Sequence, residues 1–82
     1  MILVNVVFQE LKRTYDFKLD WDASIYKITE EIVKMISQTE HLPEAANPGQ
    51  YLLYKKDSTK IMDPNTTLSE NGVRSGDTLL LI

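Results

Sequence analysis

The sequence predicts an α+β fold, with a mixed sheet of four to five strands packed on one long helix. Three observations predict it. The chain begins with two strand-like runs, one central stretch has helical periodicity, and several short apolar runs broken by turn residues follow that stretch. Strands gathered around one helix place the helix on one face of the sheet.

The first element is a run of β-branched and aromatic residues, Ile2 to Phe8, in which Asn5 is the one clearly polar position. This composition predicts a strand with one face towards water. After a short polar stretch, apolar and polar side chains alternate strictly from Thr14 to Asp20. The alternation predicts a second strand, and the two strands together predict an amino-terminal hairpin.

The long helix is predicted to follow Ser24, whose hydroxyl can accept a hydrogen bond from a first-turn N–H. Apolar residues then recur at intervals of three and four, which places Ile28 and Ile32 on one stripe facing the core. The helix is predicted to end near Thr39 or Glu40. The segment from His41 to Gln50 contains two prolines and a glycine and is interpreted as an irregular crossover.

The last third of the chain alternates short strands with turns. Tyr51 to Lys56 and Lys60 to Met62 are predicted to be the third and fourth strands. Thr67 to Glu70 has the spacing of a capping box and predicts a short helical turn, with Gly72 in the left-handed closing position. Asp77 to Ile82 is predicted to be the last strand.

Composition narrows the functional classes. The 82 residues allow one domain, predicted to span 1–82. Nine Lys and Arg against twelve Asp and Glu give a formal charge of −3, which argues against nucleic acid as a partner. The absence of cysteine rules out disulfides and thiolate metal sites. The apolar runs are too short for a membrane helix, so a cytoplasmic protein without direct membrane insertion is expected.

Three stretches resemble ubiquitin at the level of residues. They are Leu19 to Ile32, where Ser24-Ile25 opens the helix, Leu42-Pro43 after the helix, and Leu68 to Val73 leading into the last strand. The sequence therefore resembles the ubiquitin-like, β-grasp proteins. Within them, its size and the Gly76-Asp77 turn into an apolar final strand are most similar to the YukD/EsaB proteins of type VII secretion systems in Gram-positive bacteria.

This resemblance implies a cytoplasmic accessory or adaptor protein that works by protein–protein interaction, with no catalytic residues and no cofactor. The partners it implies are membrane components of a type VII secretion apparatus. Ubiquitin and the sulfur carriers act through a tail ending in Gly-Gly, whereas Ile82 lies here inside the last predicted strand. The resemblance therefore implies that this protein is not conjugated.

Two other functions remain open. The chain could be a different tail-less ubiquitin-like module for interaction or dimerisation. It could also be a sulfur carrier or protein modifier that lacks its Gly-Gly tail, which is the less favoured reading.

Few residues suggest chemistry. His41 is the only histidine and has no nucleophile motif beside it, so a surface role is favoured over a catalytic triad. Asp20 and Asp22 form a D-x-D pair without the rest of a calcium loop, so no metal site is predicted. A cluster of lysines around the predicted hairpin turn is interpreted as solvated rather than as an anion site; it comprises Lys55, Lys56 and Lys60.

A protein-binding surface is predicted on the sheet face opposite the helix. If Leu79 and Leu81 pack under the helix, Leu80 and Ile82 must point away, because side chains alternate along a strand. They are predicted to meet outward residues of the first and third strands, with Leu52 and Tyr54 facing inward. A homodimer through this face is an alternative to a different partner. The predicted binding residues are Leu3, Val7, Leu53, Leu80 and Ile82, with Tyr51 beside them.

Overall fold

The computed structural model describes residues 1–41, 51–58 and 60–82. Within them, four strands form a sheet in the order β2-β1-β4-β3. β1 pairs antiparallel with β2 and parallel with β4, and β3 pairs antiparallel with β4. The sheet is therefore mixed, as predicted. In chain order the elements are β1 (Ile2–Phe8), β2 (Arg13–Leu19), α1 (Ile25–Thr39), β3 (Leu53–Lys55) and β4 (Thr78–Leu81).

Helix α1 begins directly after Ser24, as predicted. The Lys27 N–H donates to Ser24 Oγ at 3.3 Å, which satisfies one of the free amides of the first turn. Ile28 and Ile32 are buried, as predicted. The outer side of the helix is charged and exposed. The predicted crossover, apart from His41, lies outside the described residues, as does Leu42-Pro43.

The core lies between α1 and one face of the sheet. Even-numbered residues of β1 and odd-numbered residues of β2 and β4 point towards the helix, because the strands alternate with a period of two. The opposite face of the sheet has no helix on it among the described elements. The buried strand residues are Val4, Val6, Phe8, Phe17, Leu19, Leu53, Leu79 and Leu81.

The predicted fourth strand is not a strand. Ile61 makes an isolated bridge to Tyr54, and the Met62 N–H donates to the Leu53 carbonyl at 3.1 Å. Pairing stops there because Pro64 follows within two residues and has no N–H to continue a ladder. β3 and β4 are also shorter than predicted.

The turn before β4 forms as predicted. The Thr67 N–H donates to Glu70 Oε1 at 3.1 Å, and the Glu70 N–H donates to Thr67 Oγ1 at 3.0 Å, so the capping box is complete. The Asn71 N–H then donates to the Thr67 carbonyl at 3.2 Å, which closes a single turn. Gly72 has a φ of +70°, in the left-handed region that glycine adopts without strain.

Candidate protein-binding face

The outer face of the sheet carries four of the five residues predicted to bind a partner. Leu3 is 49% exposed and Ile82 is 47% exposed. Val7 and Leu80 are half-buried and lie side by side, because they are register partners in β1 and β4. The structure thus confirms the outward orientation of these residues, and their role in binding stays a prediction.

Leu53 was wrongly predicted to point outward. It is buried, with 2% of its surface exposed. Its register partner in β4 is Leu81, which is fully buried under the helix. Because directly opposite residues of paired strands point to the same face, Leu53 must enter the core with Leu81. Tyr51 likewise packs against the core, with its ring 5.6 Å from that of Phe8.

Leu52 and Tyr54 take the outward positions instead. Leu52 is 46% exposed and exchanges two backbone hydrogen bonds with Ile82, at 2.8 and 3.0 Å. Tyr54 is half-buried opposite Leu80. The sequence did not reveal which of these residues point outward. Residues 51–54 are all apolar, and the two residues that follow, Lys55 and Lys56, are both lysine. With no alternation in the segment, nothing local sets which side faces the core.

Five outward-facing apolar side chains are joined into one surface by the strand register. Val7, Leu80 and Tyr54 form a row across three strands, and Ile82 with Leu52 forms the adjacent row. We call this surface the apolar face; it consists of Val7, Leu52, Tyr54, Leu80 and Ile82.

Leu3 does not belong to the apolar face. It lies four residues from Val7 on the same strand, a separation of about 13 Å. A polar row containing Asn5 and Thr78, which are register partners, lies between the two. Leu3 is instead placed beside Ser75, whose Oγ accepts a hydrogen bond from the Leu3 N–H at 3.2 Å.

The apolar surface continues around the edge of the sheet at Leu52. A cavity of about 120 Å³ opens there between β3 and the start of α1, with Ile25 and Leu53 among its buried lining residues. Tyr26 and Ile61, which also line it, are about half exposed. Leu52 therefore belongs both to the apolar face and to the rim of this cavity.

Charged residues flank the segment that contains β3. Lys56 is exposed two residues after Tyr54, just past the end of β3. At the other end, the Tyr51 hydroxyl donates to Glu10 Oε2 at 3.2 Å. Burial raises the pKa of Tyr51, and the charge and hydrogen bond of Glu10 raise it further, so this hydroxyl stays neutral at physiological pH.

The other candidate residues have local structural roles. Asp20 Oδ1 accepts the Asp22 N–H at 2.9 Å, which closes the turn before α1. Lys55 Nζ lies 3.6 Å from Asp77 Oδ2, so the predicted lysine cluster is partly neutralised. Among the residues that the structure describes, no group of three or more His, Asp or Glu side chains could hold a metal ion.

His41 is exposed at the end of the helix, where its φ of 52° marks the departure of the chain from helical geometry. In the described ranges, no helix has the length and apolar character needed to cross a membrane.

Two of the solved structures with similar folds are a ubiquitin-like domain and a protein designed from ubiquitin. A designed protein based on human erythrocytic ubiquitin shares 22% identity, covers 100% of this chain and 90% of its own, and has a TM-score of 0.77. The ubiquitin-like domain of an Arabidopsis thaliana protein shares 17% identity, covers 99% of this chain and 74% of its own, and has a TM-score of 0.72. These likenesses show the ubiquitin-like β-grasp fold.

A chain in the structure of the toluene 4-monooxygenase HD complex with 4-bromobenzoate is similar as well. It shares 16% identity, covers 98% of this chain and 94% of its own, and has a TM-score of 0.78. At this identity the likeness shows the fold alone. No curated protein matches the chain significantly.

The sequence match identifies the protein family, which the likeness in fold does not. The profile of the family described as "WXG100 protein secretion system (Wss), protein YukD" matches residues 2–81. The match includes all four strands, the helix and the capped turn. With its ubiquitin-like β-grasp fold and a family match over nearly its whole length, this chain belongs to the YukD family of the WXG100 protein secretion system.

Proposed function

We propose that this protein is a non-enzymatic accessory subunit of a type VII (WXG100) secretion system that binds a protein partner through the apolar face. Membership of the YukD family supports the secretion context. The observation that supports a binding role is the joining of five apolar side chains on the side of the sheet that the described helix leaves open.

The apolar face has the features of an interface rather than of ordinary surface. Single exposed apolar residues are normal on soluble proteins. Here Leu52 and Ile82 are adjacent and almost half exposed, and Val7, Leu80 and Tyr54 extend the same surface. A contiguous apolar area of this kind typically marks a site of protein–protein contact.

The partner we propose is a cytoplasmic portion of a membrane component of the same secretion apparatus. The alternatives are another ubiquitin-like interaction or dimerisation module and, less favoured, a sulfur carrier or modifier. Purification of the tagged protein from its native host, followed by identification of the proteins that accompany it, distinguishes these. Recovery of secretion components supports the proposal, and consistent recovery of an adenylating enzyme instead would contradict it.

The apolar face is tested by placing one charge on it. Leu80→Lys should leave the protein folded, because the side chain reaches water in the free protein. It should abolish partner binding, because the complex would bury an unpaired ammonium. Leu81→Lys should unfold the protein, since Leu81 is fully buried. Thermal melting and pull-down of the recovered partner are the two measurements.

Leu3→Lys is the matched control. Leu3 is an exposed leucine on the same side of the sheet, but it lies outside the apolar face. This variant should melt and bind like the wild type. If Leu3→Lys and Leu80→Lys both keep full binding, the partner does not use the apolar face, and if both lose it equally, the surface is wider than we propose.

We further propose that binding is non-covalent and that the protein is not conjugated to targets. Intact-mass analysis of the protein isolated from its native host tests this directly. One species at the mass of the unmodified chain is expected. A covalent adduct formed through a terminal carboxylate would overturn this part of the proposal and leave the apolar face untouched.

A further inference from the structure

Strand β2 is an edge strand of the sheet that the structure describes. It is seven residues long and pairs with β1 on one side. Within the described residues no strand pairs with its other side. An edge strand presents a row of unpaired backbone N–H and C=O groups, which another extended chain can use to extend the sheet.

The hydrogen bonds of β1 show which groups of β2 are free. Odd-numbered residues of β1 bond towards β4, as in the Asn5 N–H to Asp77 carbonyl bond of 3.0 Å and the Gly76 N–H to Leu3 carbonyl bond of 2.7 Å. Even-numbered residues of β1 therefore bond towards β2, and their register partners there are odd-numbered. The backbone groups that point away from the sheet belong to Thr14, Asp16 and Lys18.

A cavity lies between this edge and the helix. It has a volume of about 170 Å³ and is lined by the apolar side chains of Phe17, Met35 and Ile36 and by Tyr15, Asp16 and Thr39. Met35 is 44% exposed, although its neighbour Ile36 is buried. The edge thus combines free backbone groups with uncovered apolar surface, and these are the two requirements for adding a strand.

We propose that a second copy of this chain pairs antiparallel with β2, about a twofold axis that passes beside Phe17, and so extends the sheet from four strands to eight. This association uses a different surface from the apolar face and does not depend on the proposed function. In this register Asp16 lies opposite Lys18 of the second copy, and Lys18 lies opposite its Asp16.

Charge selects this register over its neighbours. Only registers that set even-numbered residues opposite each other let the free backbone groups of both strands meet. Moving the axis to Asp16 would place two like carboxylates directly opposite each other, which is destabilising. Moving it to Tyr15 would place Lys18 opposite Lys12. The register about Phe17 forms two opposite-charge pairs and no like-charge pair among these side chains.

The same symmetry accounts for the exposure of Met35. A twofold axis perpendicular to the sheet keeps both helices on the same side. Because Met35 lines the cavity together with Phe17, the Met35 side chains of the two copies lie on either side of the axis. Pairing of the strands therefore covers apolar surface that is open in the single chain, in addition to forming backbone hydrogen bonds.

Analytical ultracentrifugation over a range of concentrations up to about 1 mM tests the proposal. The interface is small, so we expect a weak, concentration-dependent dimer. Asp16→Lys and Lys18→Asp, each of which creates like-charge pairs, should each raise the dissociation constant at least about tenfold. The double variant Asp16→Lys/Lys18→Asp restores opposite charges in the same register and should return the constant to within about threefold of wild type.

Two controls match the change in net charge. Asp57→Lys and Lys60→Asp make the same substitutions at exposed positions after β3, the strand at the opposite edge of the sheet, and should leave the dissociation constant unchanged. Asp16→Pro tests the backbone, because it removes an N–H that points away from β1. It should lose dimerisation while circular dichroism shows an intact fold.

Three results would overturn the proposal. The first is a monomer at every concentration up to about 1 mM. The second is a dimer in which the double charge swap does not recover what each single reversal loses. The third is a dimer that Leu80→Lys abolishes but the edge variants do not, which would assign self-association to the apolar face instead.

Discussion

Leu52 and Leu53 are identical side chains on adjacent residues, and their surroundings differ almost completely. Leu52 is 46% exposed on the apolar face, whereas Leu53 is 2% exposed in the core. The difference follows from the alternation of side chains along a strand, once the register with β4 is given. At the scale of the residue, burial rather than residue type decides the contribution to stability.

We therefore predict that Leu53→Ala lowers the free energy of unfolding by about 2–5 kcal/mol, because it removes buried methyl groups and leaves a cavity. Leu52→Ala, at the matched exposed position, should cost less than about 1 kcal/mol. Urea titration of both variants measures the two values. Equal losses would contradict the register of β3, and a larger loss for Leu52→Ala would restore the orientation predicted from the sequence.

At the scale of the element, the capped turn between Pro64 and β4 directs the last strand into the sheet. Its two reciprocal hydrogen bonds join Thr67 and Glu70. Leu68 and Val73 on the same segment are fully buried, and the Val73 N–H donates to the Leu68 carbonyl at 3.1 Å. Local hydrogen bonding and core packing thus act on the same few residues.

For this turn we predict that Thr67→Ala lowers the free energy of unfolding by about 1 kcal/mol, because the Glu70 N–H loses its acceptor. Glu70→Gln keeps an acceptor oxygen for the Thr67 N–H and should cost less than Glu70→Ala. Chemical denaturation of the three variants checks the order. If glutamine and alanine at position 70 are equally destabilising, charge rather than hydrogen bonding accounts for the effect of Glu70.

A second link between elements ties β2 to the end of α1. Glu40 Oε1 accepts hydrogen bonds from the Tyr15 hydroxyl and from Arg13 Nη1, both at 2.9 Å. Burial raises the pKa of Tyr15 above its ordinary value of 10.0, and the hydrogen bond and charge of Glu40 raise it further. The folded state therefore holds the Tyr15 proton more tightly than the unfolded chain does.

Because the pKa of Tyr15 is raised in the folded state, its proton contributes stability that is fully present at a pH below the unfolded-state pKa. This contribution is lost as the pH rises through the folded-state pKa. We predict that the stability difference between wild type and Tyr15→Phe is constant from about pH 7 to 9 and shrinks above about pH 10. Urea titrations at these pH values measure it, with Tyr26→Phe as the control for removing an exposed hydroxyl. A difference that grows with pH would contradict the assigned direction.

At the scale of the whole molecule, the described elements share one core. Residues from β1, β2, α1, β3, the capped turn and β4 all contribute buried side chains to it. Trp21, the only tryptophan, joins the start of the helix to the segment before β4, because its Nε1–H donates to the Val73 carbonyl at 3.0 Å. No described element has a core of its own.

One cooperative unfolding transition is therefore expected, with a urea dependence of about 1 kcal/mol per M for a chain of this size. Trp21 fluorescence reports its contact with Val73, and far-ultraviolet circular dichroism reports the helix. The two curves should superimpose. Separate midpoints would show that the capped turn and the helix unfold independently.

The sequence by itself determined the elements whose signals are local. Ser24 and the helical periodicity after it placed α1, and Thr67, Glu70 and Gly72 placed the capped turn, because a cap is made by residues within a few positions of each other. Strict alternation in β2 fixed which of its sides faces the core. The resemblance to the YukD proteins was also found in the sequence, and the family match confirmed it.

Only the tertiary structure decided how β3 faces the sheet, and with it the membership of the apolar face. Residues 51–54 are all apolar, so either side could have been buried. The choice is made by pairing with β4, in which Leu53 lies opposite Leu81, 28 residues further along the chain. The pairing of β1 with β4 likewise placed Leu80 beside Val7 and not beside Leu3. Such pairings depend on contacts between distant segments, and a pattern within one segment does not encode them.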